Sequence, residues 1–85
     1  MKWNYTLKSG VALRDAIDSG DTKAVLANLR RCYRELTKAG LIDTYDFERY
    51  TEDLDLIDEA DYVDVDYELD NLYDLCDSLR VWVAL

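Results

Sequence analysis

Residues 63–85, VDVDYELDNLYDLCDSLRVWVAL, can be read with two periods, and the choice between them decides the fold. Val63, Val65, Tyr67 and Leu69 alternate with acids, as the inner face of a half-buried strand does. Val65, Leu69, Leu72, Cys76 and Leu79 instead make one stripe at helical spacing. The helical pattern runs further along the chain, so it predicts a helix over about 64–79, with strand or helix left open for 58–70. Beyond Arg80 the period changes again. Val81, Val83 and Leu85 alternate and Trp82 suits a pleated face, which predicts a strand rather than a continuation of the helix.

A terminal strand needs a neighbour, and the other end of the chain offers one. In MKWNYTLK, Trp3, Tyr5 and Leu7 alternate with polar residues, as a short strand or extended arm would. Ser9 then reads as the N-cap of a helix burying Val11, Leu13, Ala16 and Ile17 and stopping at a left-handed Gly20. Asp21 caps a second helix with Val25, Leu29, Cys32, Tyr33 and Leu36 on its apolar stripe, ending at Gly40. Asp43 is placed to cap a third, which carries Phe47, Tyr50, Leu54 and Ile57 on one side. The fold class expected is mainly α: a small four-helix domain with a short two-strand sheet pairing the N- and C-terminal segments, hence α+β. Eighty-five residues supply one modest core, so residues 1–85 are read as a single domain.

Charge divides the chain where no linker does. The helical hairpin, residues 9–40, belongs to a half (1–40) with eight Lys or Arg against four Asp or Glu; residues 41–85 have two against fifteen. The net charge of −9 resists direct binding to nucleic acid or an anionic membrane. On the second helix Lys23, Arg30, Arg34 and Lys38 share a face with Arg31 at its edge, so a helix-turn-helix reader using residues 21–39 is one alternative. Internal pairing with the acidic half is the preferred reading of those cations, because the overall field repels phosphate and the DSGD turn adds two acids.

Several chemistries are disfavoured by composition. The chain has no histidine and two cysteines without a Cys-x-x-Cys pair, which removes a zinc site. Cys32 and Cys76 are expected to be reduced core residues. EF-hand spacing fails: a loop beginning at Asp64 puts Leu69 at the glycine position and Leu75 at the glutamate position. No nucleophile and base pair can be assembled without histidine, and no Gly-rich phosphate loop is present, so the chain is read as a non-enzyme without cofactor or metal. No apolar run is long enough to span a bilayer, and the N-terminus lacks the apolar core of a secretion signal. A cytoplasmic protein is expected, in the host cytoplasm if phage-encoded.

The residues that stand out are acids. Between Arg49 and Arg80 lie thirty residues with twelve acids and no base, and five of the seven tyrosines, Tyr45, Tyr50, Tyr62, Tyr67 and Tyr73, fall in the acidic half. On a helix over 64–79, Asp66, Asp70, Asp74 and Asp77 occupy about a quarter of the circumference at about 100° per residue. Such a row can be a plain solvated face. Yet soluble helices usually mix both signs, and tyrosine beside acid suits a surface that meets arginine. The candidate partner-binding residues are Asp58, Asp61, Asp64, Asp66, Tyr67, Glu68, Asp70, Tyr73, Asp74 and Asp77. In charge and size the chain is similar to the small acidic nucleic-acid mimics with which phages and mobile elements block restriction enzymes, repair glycosylases or CRISPR effectors. That similarity implies an inhibitor occupying the basic groove of a nucleic-acid-binding protein, without itself binding nucleic acid. The alternative is an acidic interaction module or antitoxin-like partner without mimicry, with a homodimer left open.

Overall fold

The computed structural model describes residues 3–59 and 65–83, and the side chains of all of these except 56–59. Among the described residues the order is β1 (Tyr5–Leu7), α1 (Gly10–Ser19), α2 (Thr22–Lys38), α3 (Thr44–Glu59), α4 (Val65–Leu79) and β2 (Val81–Val83). The decisive stretch is therefore helical from Val65, and the strand alternative is excluded for 65–70. Residues 60–64 lie outside the described residues. The longer period wins because a helix buries Leu69, Leu72 and Cys76 on one side, whereas a strand through Leu69 would leave that downstream set without a common face.

Helix α2 is the centre of the molecule, with α1, α3, α4 and β1 packed on it. Its stripe of Val25, Leu26, Leu29, Cys32, Tyr33 and Leu36 is buried, and Leu13, Leu54, Leu72, Leu7 and Val81 reach it from the other elements. Tyr33 stacks on Tyr50 of α3 with ring centroids 4.9 Å apart and planes 1° apart, which fixes α3 against α2. The termini of the helices follow local chemistry. Asp21 Oδ1 accepts from the Ala24 amide at 3.2 Å and Asp43 Oδ1 from the Asp46 amide at 2.8 Å, capping α2 and α3. Gly20 ends α1 at φ +72°, a left-handed conformation that a side chain would strain.

Strands β1 and β2 pair in parallel, with Tyr5 opposite Val81, Thr6 opposite Trp82 and Leu7 opposite Val83. The Asn4 amide extends the pairing by donating to the Arg80 carbonyl at 2.7 Å. Arg80 itself takes φ +58°, so the chain turns from α4 into β2 through a left-handed residue without glycine's freedom. Leu7 and Val81 point into the core, while Thr6 and Trp82 face outward.

Two expectations for α1 fail. Val11 is 55% exposed, because on a helical wheel it sits about 160° from Leu13 and cannot share its face. Ser9 makes no side-chain cap. Its hydroxyl is instead a donor, 2.7 Å from Glu35 Oε1 of α2. Glu35 also accepts from the Ser9 amide at 2.8 Å, the Lys8 amide at 2.9 Å and the Tyr5 hydroxyl at 2.8 Å. One carboxylate thus joins β1, the β1–α1 turn and α2.

Cys32 and Cys76 are buried free thiols, as expected from their places on the apolar stripes. Burial pushes the Cys32 thiol up to about 12, with Cys76 close enough to add to the effect, and burial pushes Cys76 up to about 11. Since the thiolate is the reactive form, native protein is expected to label with a maleimide at least about a hundredfold more slowly than protein in denaturant. Rapid labelling of both thiols in native buffer would contradict their placement in the core.

Candidate functional site

The four aspartates on α4 stand in a row. Asp66, Asp70, Asp74 and Asp77 are all exposed, and none has a cation within ion-pairing distance among the described residues. From Asp66 to Asp77 the helix rises about 16 Å, and members four apart are separated by about 6 Å of rise. Asp66 gains from the positive end of the helix dipole, whereas Asp74 and Asp77 lie toward the negative end, where no local field favours them.

The ridge runs between two clefts. On one side, a cleft of about 480 Å³ separates α4 from α3, with Asp53 and Tyr50 facing Asn71, Asp74 and Ser78, and Arg49 at its edge. Arg49 is engaged within α3: its guanidinium lies 5.3 Å from the Tyr50 ring centroid and 3.7 Å from Asp46. On the other side, a smaller cleft of about 190 Å³ opens between α4 and the sheet, bounded by Trp3, Tyr73, Asp77 and Trp82. Tyr73 is half-buried there, and burial raises its hydroxyl above the ordinary tyrosine value.

The remaining expected site residues are placed unevenly. Tyr67 is exposed on α4 near the row. Glu68 is 3% exposed and turns toward the core, close enough to Tyr33 to raise that hydroxyl further after burial has done most of it. It is not part of the exposed row, because position 68 falls about 120° beyond the edge of the aspartate arc. Asp61 and Asp64 lie outside the described residues, and for Asp58 only the α3 backbone is described. Among the acidic-half tyrosines, Tyr45 is exposed, while Tyr50 belongs to the packing of α3 on α2.

Internal pairing of the basic helix is limited. Arg30 meets Asp55 of α3, but Lys23, Arg31, Arg34 and Lys38 have no acidic partner within ion-pairing distance among the described residues. Arg31, Arg34 and Lys38 surround a cleft of about 310 Å³ beside Ser9 and Glu35. The negative group lining it among the described residues, Glu35, has its oxygens occupied by Tyr5, Lys8 and Ser9.

Neither tryptophan was in the expected set. Trp3, whose alternation with Tyr5 and Leu7 suggests only a short strand or extended arm, lies just before β1, is exposed and packs edge-on to Trp82, centroids 5.4 Å apart. Pairing of the two chain ends was legible; adding that Trp82 has the opposite parity to Val81 and Val83 would have placed an indole on the outer face. Asp53 was also missed, since only the packing of α3 beside α4 brings it to the ridge. Among the described residues no helix is long and apolar enough to cross a membrane, and no group of three or more acids or cysteines is arranged to hold a metal ion. Compared with protein-family models, curated proteins and solved structures, the chain matches none.

Proposed function

We propose that the chain is an acidic binding protein whose α4 ridge inserts into a basic groove of a nucleic-acid-binding protein and keeps nucleic acid out. The observation that carries this reading is the exposed row Asp66, Asp70, Asp74 and Asp77 without cationic partners among the described residues. One carboxylate per about 6 Å is sparser than the charge on a DNA strand, one per about 3.4 Å of axis. Exposed Asp53 of α3, across the cleft from Asp74, thickens the field beside it. Such a field speeds encounter with a basic surface and repels acidic competitors.

Converting Asp66, Asp70 and Asp74 together to Asn should weaken partner binding at least about tenfold. The melting temperature should stay level or rise. Relief of like charges at four-residue spacing gains about 0.2–0.5 kcal/mol per pair, set against the lost dipole interaction of Asp66. Calorimetric titration and thermal melts on both proteins check this. Partners retained by the wild type but not by the triple variant should also release it when duplex DNA or RNA is added. Release sensitive to Asn but indifferent to nucleic acid would leave an acidic interaction module and overturn mimicry.

A second reading has its own support. Arg31, Arg34 and Lys38 on α2, without an acidic partner among the described residues, give the hairpin a basic edge that a helix-turn-helix reader would use. Charge reversal on α2 and on α4 separates the two.

A further inference from the structure

The cleft between α4 and the sheet has features that a solvated acidic face does not require. Among the described residues six leucines are fully buried, yet two indoles, Trp3 at 38% and Trp82 at 49% exposure, stand on the surface side by side. Their planes meet at 60°. An edge-on pair of this kind forms an open corner and leaves ring face uncovered. Tyr73 supplies a third aromatic wall, Cys76 and Val81 lie beneath, and the Asp77 carboxylate sits at the rim with no cation within ion-pairing distance among the described residues.

We propose that this cleft receives one arginine side chain of the basic partner, its guanidinium lying against the Trp3 and Trp82 rings and pairing with Asp77. The proposal rests on the reading of α4 as the partner-facing ridge, of which Asp77 is the last member. Size favours a single side-chain head. About 190 Å³ is room for roughly six waters at about 30 Å³ each, and falls below the roughly 300–1,000 Å³ of small-molecule sites. The chemistry favours a cation, since the face of an indole is the strongest aromatic seat for positive charge and a carboxylate completes the pairing. Arginine is preferred to lysine because its planar, weakly hydrated guanidinium can stack and hydrogen-bond to a carboxylate at once, while an ammonium must shed a tighter water shell. Within the molecule Arg49 already sits over Tyr50 beside Asp46, the same combination of cation, ring and acid.

The two tryptophans bordering this cleft are the only two in the chain, so tryptophan fluorescence reports on it alone. Oligoarginine and oligolysine peptides of equal length serve as probes, titrated at physiological salt. Oligoarginine should change the tryptophan emission and bind about fivefold or more tightly than oligolysine. Trp82→Leu keeps apolar bulk on the strand and should erase that preference, as should Asp77→Asn, with circular dichroism confirming the fold. The double change Asp70→Asn and Asp74→Asn should lower both affinities by a similar factor and keep the preference. Equal affinity for the two peptides, or a preference surviving Trp82→Leu, would overturn the arginine site. If the double Asn change still weakens both peptides in that case, the ridge reading stands without it. If that change leaves both affinities unaltered, the ridge fails as well. Self-association abolished by Trp82→Leu would assign the cleft to a second copy of the chain and overturn the proposal.

Discussion

Glu35→Ala is expected to destabilise the protein by about 2 kcal/mol and to lower the melting temperature by roughly 8–16 °C. The carboxylate accepts four hydrogen bonds, two on each oxygen, which fills its acceptor capacity. Charged acceptors make the stronger bonds, but the group is half-buried, so Tyr5 and Lys8 can turn to water once it is gone. The pH dependence carries the same signature. Burial pushes the Glu35 carboxyl up; the Ser9 hydroxyl, Lys8 amide, Tyr5 hydroxyl and Ser9 amide together outweigh it and hold the group below its ordinary value of 4.5. A carboxyl depressed in the folded state contributes stability in full above its unfolded pKa, and that contribution is lost as pH falls through the folded value. The gap between wild type and Glu35→Ala should therefore be widest near neutrality and narrow as the pH falls through the depressed folded value. Urea unfolding at neutral and acid pH measures it, and a gap that widens on acidification would contradict the clamp. Because Tyr5 follows Trp3 by two residues, the variant should also disturb tryptophan emission before the helices melt.

That carboxylate marks the limit of what local pattern could reveal. The helices were legible because their signals are local: Asp21 and Asp43 at caps, Gly20 at a left-handed end, and apolar residues at a period of 3.6. The stripe of α2 was found residue for residue, with Leu26 the one buried residue added to it. Val11 departs from its expected burial because it and Leu13, two positions apart, stand about 160° apart on the helix and cannot share one face. Glu35 lies on the most basic element of the chain; its partners are 26 to 30 residues away, and no spacing rule connects them. The site divides in the same way. The aspartate row follows from helical geometry once α4 is accepted, whereas the tryptophan corner and the contribution of Asp53 depend on how separate elements pack. Glu68 shows the converse error, in which an acid was assigned to the surface by type although its angle on α4 points it inward.

The largest kinetic effect is expected from salt. With the oligoarginine peptide as probe, the association rate should fall by about tenfold or more between 0.01 M and 0.15 M ionic strength, as the Debye length shortens from about 30 Å to about 8 Å. Dissociation should change much less, because contacts in the bound state are short compared with either length. The effect should be lopsided on the molecule. Asp70→Lys or Asp74→Lys places a positive charge in the middle of an exposed row without ion-paired cations among the described residues, and should slow association several-fold. Lys23→Glu or Lys38→Glu adds negative charge on α2, the element that carries the basic edge, and should change the rate far less or raise it slightly. Stopped-flow fluorescence across a salt series, on the wild type and these four variants, separates the faces. Salt-insensitive association would remove steering from the account. If duplex DNA binds the wild type directly, and Lys23→Glu and Lys38→Glu weaken that binding while the α4 reversals do not, the basic hairpin carries the function and the acidic ridge is only its solvated side.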